Sequence, residues 1–448
     1  MKRVAIIGAG WAGCAAALTL ARANANASAR GEKPTSITVF EAAKTPGGRA
    51  RRVDKGERSF DNGQHLLLGA YTRSLEMIRS LHGARLHEVI DQRPLALVAA
   101  PGNPERISVQ AKRLPAPLHL LHAMLTARGL TISDKLSINL WCARTLYGSL
   151  DSTAHAKQTV AELIKTQPAR AKTWLWEPLC VAALNTPAER ASASVFVEVL
   201  RRSFLGTAEA SDLVIPRVDL SALLPQPALE AVVRLGGEVR LGEPVNKISP
   251  GSDGSGKTRI VLRERDEVFD DVIVAVGPQH IDRLLDDCPR WIGAKATLSS
   301  FSYEPISTLH YEFLAGLDPE SSPMLMLDGE PGQWLFSHRL SNGQVRASVV
   351  ISAHYREGNA DELLADGLAQ LKRSFPVTKP LWQQLITEKR ATYACTPAQT
   401  AKLRAIPKSI GGVHFAGDWC VPELPATLEA AVISGENAAR QIIESSHG

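Results

Sequence analysis

The feature that most constrains this chain is the sequence GAGWAG at residues 8–13. It has the spacing G-x-G-x-x-G, and it lies between an apolar run at residues 4–7 and an Ala/Leu-rich stretch at residues 14–23. This order predicts a buried strand, a tight turn and a helix, the arrangement with which many proteins hold the diphosphate of a dinucleotide. Gly8 would make the turn, Gly10 would let the backbone approach the diphosphate, and Gly13 would allow close helix packing.

The same N-terminal stretch also has features of a secretory signal peptide. Two basic residues precede the apolar run, and small residues alternate at Ala25, Ala27 and Ala29. Three glycines would break the helix of a signal peptide, whereas each has a role in a dinucleotide-binding turn. We therefore expect this segment to form the first strand, turn and helix of the fold, followed by a polar loop at residues 24–36.

An acidic residue and a second glycine pair follow in the order that a dinucleotide site requires. A strand predicted at residues 37–40 ends at Glu41, whose carboxylate suits a ribose hydroxyl. Gly47 and Gly48 then offer a second set of free N–H groups, and Arg49 offers a guanidinium for a diphosphate. Simple NAD dehydrogenases do not need this second element, so the combination favours FAD.

The combination of G-x-G-x-x-G, an acid and GGRA resembles the FAD-binding signature of the flavin amine oxidase and phytoene desaturase superfamily. The resemblance implies an α/β fold, with a Rossmann-like FAD-binding domain of the amine oxidase type and a second, α+β substrate domain. It implies that the FAD-binding domain is discontinuous, at residues 1–70, 206–285 and 406–448. The substrate-binding domain would then comprise residues 71–205 and 286–405.

The resemblance also implies cofactor contacts residue by residue. Asp418 would accept from a ribityl hydroxyl, the backbone of Val245 would hold the adenine, and a helix N-terminus at Thr427 and Leu428 would face the flavin. We expect FAD to be bound non-covalently, because the sequence around Cys395 does not repeat the covalent-flavin motif. The expected cofactor-binding residues are Gly8, Gly10, Trp11, Ala12, Gly13, Glu41, Ala42, Gly47, Gly48, Arg49, Gly63, Gln64, His65, Val245, Gly277, Gly417, Asp418, Thr427 and Leu428.

Three further stretches narrow the resemblance within the superfamily. FDNGQH at 60–65, ALNTP at 183–187 and LPATLE at 424–429 are similar to hydroxysqualene dehydroxylases. This similarity implies reductive removal of the hydroxyl group of hydroxysqualene, a polyprenoid, to give squalene in squalene and hopanoid biosynthesis. Reduced flavin would give hydride to the allylic cation that remains when water leaves. An oxidative phytoene-type desaturase stays open as an alternative, because the motifs do not fix the direction of the flavin chemistry.

Reductive dehydroxylation needs an acid and aromatic faces inside an apolar tunnel. The candidate catalytic acids are Glu177, Asp212 and His65. Glu177 lies in a Trp/Leu-rich stretch where burial would raise its pKa, although a structural acid paired with an arginine fits as well. His65 fits a flavin contact equally well. The aromatic side chains expected to line the substrate tunnel, each of which also suits a protein core, are Trp174, Trp176, Phe196 and Trp419.

Periodicity and capping signals predict several elements of the substrate domain. Alternating residues at 307–313 and 344–351 predict strands, and residues 361–375 predict a helix. Thr159 and Glu162 have the spacing of a capping box, and Ser133 is a candidate N-cap for the next apolar periodic stretch.

Composition excludes several classes of protein. The 448 residues call for two or more domains, and the net charge of +5 has no basic block of nucleic-acid-binding density. Six scattered cysteines form no metal-binding spacing, so we expect a cytoplasmic protein with reduced thiols, no metal and no nucleic-acid partner. No stretch after the N-terminus is apolar enough for a transmembrane helix. Residues 112–128, apolar with basic flanks, fit either a peripheral contact with the inner face of the cytoplasmic membrane or a core helix.

Overall fold

The computed structural model describes residues 2–31, 34–101, 106–148, 155–250, 256–285, 288–353 and 359–445. Its central sheet contains six strands in these residues, of which the first five run parallel and the last is an antiparallel edge. In spatial order the strands are Glu238–Leu241, Ser36–Glu41, Arg3–Ile7, Asp271–Val274, Val413–Phe415 and Ser409–Ile410. Strand Arg3–Ile7 lies between two neighbours and is almost fully buried, which explains its unbroken apolar run.

The first helix covers Trp11–Ala29, so the predicted polar loop at residues 24–36 is wrong over its first half. Alanine alternates with asparagine and serine from Ala23 onward, and the high helix propensity of alanine sustains the helix there. The first half of this helix is buried against the central sheet, and its last turns are exposed. The N-terminal segment is thus an integral part of the core, as expected for a fold element.

Further helices cover the same face of the central sheet. The C-terminal helix, Leu428–Ser445, packs on the first helix so closely that a Cβ at Gly435 would lie 2.1 Å from the carbonyl oxygen of Ala12. Helices Thr72–His82 and Pro225–Arg234 belong to the same apolar core. The sequence prediction placed residues from 71 onward in the substrate domain, whereas the structure packs helix Thr72–His82 beside the central sheet.

A second sheet of five antiparallel strands occupies the predicted substrate region. In spatial order its strands are Met324–Met326, Trp334–Arg339, Val345–Ser352, Tyr303–Phe313 and Trp382–Tyr393. The strands predicted at 307–313 and 344–351 are confirmed within it. Helix Ala360–Ser374 packs on this sheet through Leu363, Leu364 and Leu371, and agrees with the prediction within one residue at each end.

Shorter elements connect the two sheets. The small sheets contain strands Arg52–Lys55 with Arg58–Asp61, Leu67–Leu68 with Leu213–Pro216 and Ile90–Arg93, Ala96–Leu97 with Val109–Gln110, and Lys247–Pro250 with Thr258–Val261 and Asp266–Phe269. The remaining helices of eight or more residues are Leu118–Thr126, Ile132–Leu146, Glu177–Leu184, Ala193–Phe204, Ile292–Ser299 and Pro397–Ala405. Within the described ranges, we find no helix with the length and apolar character needed to cross a bilayer.

Two helix starts test the capping predictions. The capping box of Thr159 and Glu162 is confirmed, with both reciprocal hydrogen bonds present. The N-cap predicted at Ser133 is wrong, because Thr131 caps helix Ile132–Leu146 instead. The Thr131 hydroxyl accepts from the backbone of Asp134 at 3.1 Å, and the Asp134 carboxylate accepts from the backbone of Thr131 at 3.0 Å.

Candidate active site

A cavity of about 840 Å³ is lined by residues of both large sheets. Part of its wall consists of the loops that follow strands Arg3–Ile7 and Ser36–Glu41, together with the segment around Gly417. The other part is apolar and includes Leu95, Leu97, Leu179, Phe196, Leu200, Leu213, Met324, Trp334 and Phe336. The cavity therefore combines a polar wall, rich in backbone and charged groups, with an apolar wall that is suited to hydrocarbon.

The first glycine loop has room for no side chain at two of its positions. Gly8 has a φ of 103°, and a Cβ placed there would lie 2.6 Å from the carbonyl oxygen of Ala275. A Cβ at Gly13 would lie 1.8 Å from the carbonyl oxygen of Gly8. Gly13 is thus required for packing beneath the loop, and it does not itself line the cavity.

The two glycine loops lie against each other at the cavity wall. The backbone N–H of Gly47 donates to the carbonyl of Ala9 at 2.8 Å, and a Cβ at Gly10 would lie 3.8 Å from the Cα of Gly48. Helix Trp11–Ala29 begins here without a side-chain cap or an acidic residue in its first turn. Its N-terminus therefore presents free N–H groups and the positive end of the helix dipole to an anionic ligand.

Glu41 orders the glycine loop through its carboxylate. One oxygen accepts from the backbone N–H of Ala9 at 2.7 Å, and the other accepts from Ala43 at 2.8 Å. A carboxylate has about four lone-pair sites, so two hydrogen bonds leave acceptor capacity for a ligand hydroxyl. Glu41 also lines the cavity, which is compatible with the predicted ribose contact.

Arg49 joins the second glycine loop to the C-terminal motif. Its guanidinium donates to the Asp418 carboxylate at 2.7 Å and to the carbonyl of Ala391 at 2.7 Å. Burial opposes the charge of Arg49, but the neighbouring Asp418 carboxylate outweighs it, so the pKa of the guanidinium is raised. Asp418 is only 5% exposed, and the pair therefore holds two cavity-lining loops in a fixed relation.

The start of the C-terminal helix also reaches the cavity. Thr427 and Leu428 line its wall, while the buried carboxylate of Glu429 points to a neighbouring helix. That carboxylate accepts from the backbone of Arg73 at 2.9 Å and of Ser74 at 2.8 Å, and so caps helix Thr72–His82. This cap has no local signal in the sequence, because the two partners are more than 350 residues apart.

An unpartnered donor supports a ligand at the polar wall. Trp11 lines the cavity, and its buried indole Nε1 has no hydrogen-bond partner among the described residues. Leaving a buried donor unsatisfied costs about 1–3 kcal/mol, so such a group is expected where an acceptor-rich ligand binds. Together with the helix N-terminus and Arg49, this donor set fits the diphosphate and ribose of a dinucleotide cofactor.

The structure brings the predicted cofactor-binding residues together at one wall. All of them line the cavity except Gly13, although they come from segments that lie far apart in the sequence. His65 is among them, and its Nδ1 lies 2.8 Å from the carbonyl of Gly63. A carbonyl only accepts, so Nδ1 carries the proton, and in the neutral ring Nε2 is an acceptor. Burial lowers the pKa of His65, which makes it a poor proton donor and favours the flavin-contact alternative.

The other two predicted acids do not line the cavity, so the structure gives their predicted catalytic role no support. Glu177 begins helix Glu177–Leu184 outside the cavity wall, and its pKa is raised by partial burial and by the nearby Glu189. Asp212 lines a separate, smaller cavity, where it pairs with Arg113 at 3.0 Å and accepts from Gln92 at 3.0 Å. The sequence could not place these acids, because tertiary packing decides which side chains of a helix or a connecting segment meet the cavity.

Of the four aromatic side chains predicted to line the tunnel, only Phe196 does so. Trp176 packs on Trp141 with ring centroids 4.6 Å apart and donates to Gln167 at 3.0 Å. Trp419 is 1% exposed and donates to the carbonyl of Val276 at 3.1 Å. Trp174 lies under the guanidinium of Arg106 at 4.8 Å. These three tryptophans stabilise the protein around the cavity, so their prediction as lining residues is wrong.

Glu388 is a cavity residue that the sequence analysis missed. It lies opposite Ile306 in the antiparallel sheet, and one carboxylate oxygen is 3.3 Å from the side-chain nitrogen of Asn62 in the FDNGQH segment. The other lining acids in the described residues are Glu41, Asp418 and Glu429. Each of those three accepts a hydrogen bond of 2.9 Å or shorter from a backbone N–H group or from Arg49. Glu388 accepts from Asn62 and from the backbone N–H of Arg390, both at 3.3 Å, so it is the least tightly held of the four acids. It lies in a run of four polar residues, at 387–390 of strand Trp382–Tyr393, and no local signal distinguishes it from the other charged residues of that run.

Asn185 explains part of the ALNTP motif. It ends helix Glu177–Leu184 in a left-handed conformation, with a φ of 45°, and lines the cavity. Its side chain donates to Thr392 at 3.0 Å and accepts from the backbone of Ala353 at 2.8 Å. Asparagine tolerates this conformation better than most residues, and its amide joins the helix to two strands of the antiparallel sheet.

Comparisons with known proteins agree with this architecture. A hydroxysqualene dehydroxylase of Rhodopseudomonas palustris is 29% identical over 99% of this chain and 98% of that protein. A 15-cis-phytoene desaturase of an Oncidium hybrid cultivar is 26% identical over 98% of this chain and 78% of that protein. Cyclohexylamine oxidase from Brevibacterium oxydans has the same fold, with a TM-score of 0.71 at 18% identity over the full length of both chains.

The family assignment follows from a match that spans nearly the whole sequence. The profile of flavin containing amine oxidoreductases matches residues 11–443, which include both glycine loops and the Gly417 segment. The cavity unites these loops, and the similar proteins are named as dehydroxylases and desaturases. Both findings agree with a flavin-dependent oxidoreductase of this family. The chain therefore belongs to the flavin containing amine oxidoreductase family.

Proposed function

We propose that this protein binds FAD non-covalently and reductively removes the hydroxyl group of hydroxysqualene, yielding squalene and water in squalene and hopanoid biosynthesis. The observation that carries the proposal is one cavity that joins a wall of glycine loops and charged groups to a large apolar wall. The likeness to hydroxysqualene dehydroxylases over nearly the full length of both proteins supports this substrate class.

The polar wall would hold the FAD. The N-terminus of helix Trp11–Ala29 and the loop at Gly47 and Gly48 would face its diphosphate, and Glu41 would accept from a ribose hydroxyl. When reduced, bound FAD supplies a hydride. Cys395 supports non-covalent binding, because it is 1% exposed, lies outside the cavity wall, and has its thiol pKa raised by burial to about 12.

The apolar wall would receive the hydrocarbon chain. Leu95, Leu97 and Phe196 belong to one apolar core and face the cavity, so a bound polyprenoid would displace water from this end. Excluding water protects an allylic cation from capture by solvent, and it strengthens electrostatic interactions inside the site. The wall thus serves both binding and chemistry.

Glu388 would supply the proton in place of the acids predicted from the sequence. The proton moves from its carboxyl group to the substrate hydroxyl, the C–O bond breaks with its electron pair going to oxygen, and water leaves. Asn62, which donates to Glu388 at 3.3 Å, would hold the group beside the FDNGQH segment.

An oxidative desaturase of the phytoene type is the second candidate. It is favoured by the match to phytoene desaturases over almost the whole of this chain. Desaturation removes hydrogen from the substrate and requires no proton donor to a leaving hydroxyl. A requirement for the carboxyl group of Glu388 would therefore favour the dehydroxylase over the desaturase.

We place the protein in the cytoplasm, in peripheral contact with the inner face of the cytoplasmic membrane. Polyprenoids of this size dissolve in the bilayer rather than in water, so an apolar surface that contacts the membrane would give the enzyme access to them. Residues 112–128, which the sequence analysis marked as an interfacial candidate, form part of an exposed apolar surface.

The test is product identification under anaerobic conditions. Protein with photoreduced flavin is incubated with hydroxysqualene, and protein with oxidised flavin is incubated with phytoene. Squalene from the first mixture and unchanged phytoene in the second support the proposal. A desaturated product from phytoene, together with unchanged hydroxysqualene, would establish the second candidate.

A further inference from the structure

Two adjacent helices expose an unusual amount of apolar surface. Helix Leu118–Thr126 and helix Ile132–Leu146 lie beside each other, and the Lys135 ammonium donates to the carbonyl of Leu125 at 2.6 Å. Seven of the fourteen large hydrophobic side chains exposed in the described part of the chain come from this pair and its C-cap. They are Leu118, Leu121, Leu125, Ile132, Leu136, Leu140 and Tyr147, and we call them the apolar platform.

The platform is the outer face of helices whose inner faces are already packed. Ala123 and Ile138 are each 1% exposed, whereas Leu125 is 61% and Ile132 is 80% exposed. Each helix thus has an apolar face in the core and a second apolar face in solvent. Exposed apolar surface that gathers seven large side chains on two packed helices is unusual for a soluble protein, which points to an interaction surface.

Charge around the platform identifies the kind of partner. Residues 112–148 contain five Lys and Arg residues against one acidic residue, Asp134. Lys112, Arg128 and Arg144 are exposed. Leucine side chains with basic residues around them match a bilayer that carries anionic headgroups, in which the apolar groups insert and the cations bind lipid phosphates.

Helix Ile132–Leu146 also packs on helix Ala193–Phe204, whose Phe196 and Leu200 line the cavity. Ile138 and Trp141 belong to the same apolar core as Leu97, Phe196 and Leu213. Those last three residues line the cavity. Docking through the platform would therefore bring the apolar end of the cavity next to the hydrocarbon of the membrane.

We propose that the apolar platform docks this protein on anionic bilayers, with helix Ile132–Leu146 inserting beside helix Leu118–Thr126. This deepens the membrane contact of the proposed function by naming its surface and its lipid. It extends beyond residues 112–128, because the two most exposed of its aliphatic side chains, Ile132 and Leu136, lie on the second helix. Salt weakens the headgroup attraction but not the apolar insertion.

Vesicle flotation tests this docking without requiring turnover. Flavin-loaded protein is mixed with phosphatidylcholine vesicles that contain or lack phosphatidylglycerol. We expect flotation to depend on phosphatidylglycerol, and we expect the triple variant Leu125→Glu/Ile132→Glu/Leu136→Glu to lose it roughly tenfold or more. The matched control is Ile292→Glu/Leu314→Glu/Leu381→Glu, which charges three exposed hydrophobic residues elsewhere and should float like the wild type.

The same variants also distinguish membrane docking from loss of folding and from a dimer interface. Unchanged flavin content and melting temperature in the triple variant show that the protein remains folded. Equal flotation of the triple variant and the wild type would overturn the proposal, as would absence of wild-type flotation. A wild-type dimer in analytical ultracentrifugation that the triple variant abolishes would instead make the platform an interface between two copies. Turnover of detergent-dispersed hydroxysqualene tests the proposed function separately, since it does not depend on docking.

Discussion

The guanidinium of Arg49 donates to the carboxylate of Asp418 at 2.7 Å, across 369 residues of sequence. This pair connects the second glycine loop to the C-terminal motif, and both loops line the cavity. The pair holds these two loops of the polar wall together through a contact within the protein. The position of these two loops therefore depends on an ion pair as well as on the sheet that carries them.

Replacing Arg49 with Met should destabilise the protein by about 2 kcal/mol, because Asp418 is left as a buried carboxylate without its partner. This expected loss of stability is smaller than the loss for a fully buried ion pair, because the Arg49 side chain is 33% exposed. Urea unfolding of flavin-free protein measures it. The double variant Arg49→Met/Asp418→Asn, which removes the unpaired charge, should regain part of the loss. No recovery in the double variant would show that the pair is not coupled.

Two glycine substitutions should separate folding from cofactor binding. Gly13→Ala places a methyl group 1.8 Å from the carbonyl oxygen of Gly8, so we expect a lower melting temperature and little flavin. Gly10→Ala makes only an ordinary 3.8 Å contact with Gly48, so the fold should persist while a methyl group blocks the approach of the diphosphate.

The flavin-to-protein absorbance ratio and the melting temperature report the two effects. Gly293→Ala, where a Cβ would meet nothing within 4 Å, is the control. A Gly10→Ala variant with full flavin content would contradict the placement of the diphosphate at this loop.

Glu388→Gln should lower turnover of hydroxysqualene by about 10²–10⁴-fold, the usual contribution of a general acid. Flavin content should remain unchanged, because no cofactor contact is assigned to Glu388. Glu177→Gln is the matched control, and it should keep near wild-type turnover since Glu177 lies outside the cavity wall. The opposite result, with Glu177→Gln inactive and Glu388→Gln active, would restore the assignment made from the sequence.

Stability should fall in mild acid because of His310. This histidine is 2% exposed, its Nδ1 lies 3.0 Å from the hydroxyl of Ser348, and burial lowers its pKa from 6.5 to about 3. Between those two values the unfolded chain binds a proton that the folded chain does not. The contribution of His310 therefore falls as the pH drops below 6.5, by about 1.4 kcal/mol per pH unit, or about 2 kcal/mol at pH 5.

The variant His310→Gln isolates this contribution from those of other titrating groups. Urea unfolding near pH 7.5 and near pH 5 should show a smaller difference in the variant than in the wild type, by about 2 kcal/mol. Equal differences in the two proteins would mean that His310 does not titrate as its burial requires.

The sequence predicts the polar wall well, because glycine positions reflect local backbone geometry. Gly8 and Gly13 are required by contacts within one strand, turn and helix, and such contacts are visible in spacing alone. Capping at Thr159 was likewise predictable, since both partners lie within one turn. At Ser133 the prediction failed because two neighbouring residues, Thr131 and Ser133, both suit an N-cap.

The substrate side of the site was not predictable in the same way. Trp176 and Phe196 have similar apolar surroundings in the sequence, yet only Phe196 reaches the cavity, while Trp176 packs on Trp141. Which of them lines the cavity depends on how helices from distant segments pack. Glu388 was missed for the same reason, because its proximity to Asn62 arises from a contact across 326 residues.

The most direct test of the proposed function is an anaerobic single-turnover experiment on protein whose flavin has been reduced. Hydroxysqualene is added, flavin absorbance is followed, and products are quantified from the same sample. We predict that the flavin becomes oxidised and that one squalene forms for each flavin. Flavin that stays reduced with no squalene formed, while phytoene reduces the oxidised protein, would contradict reductive dehydroxylation.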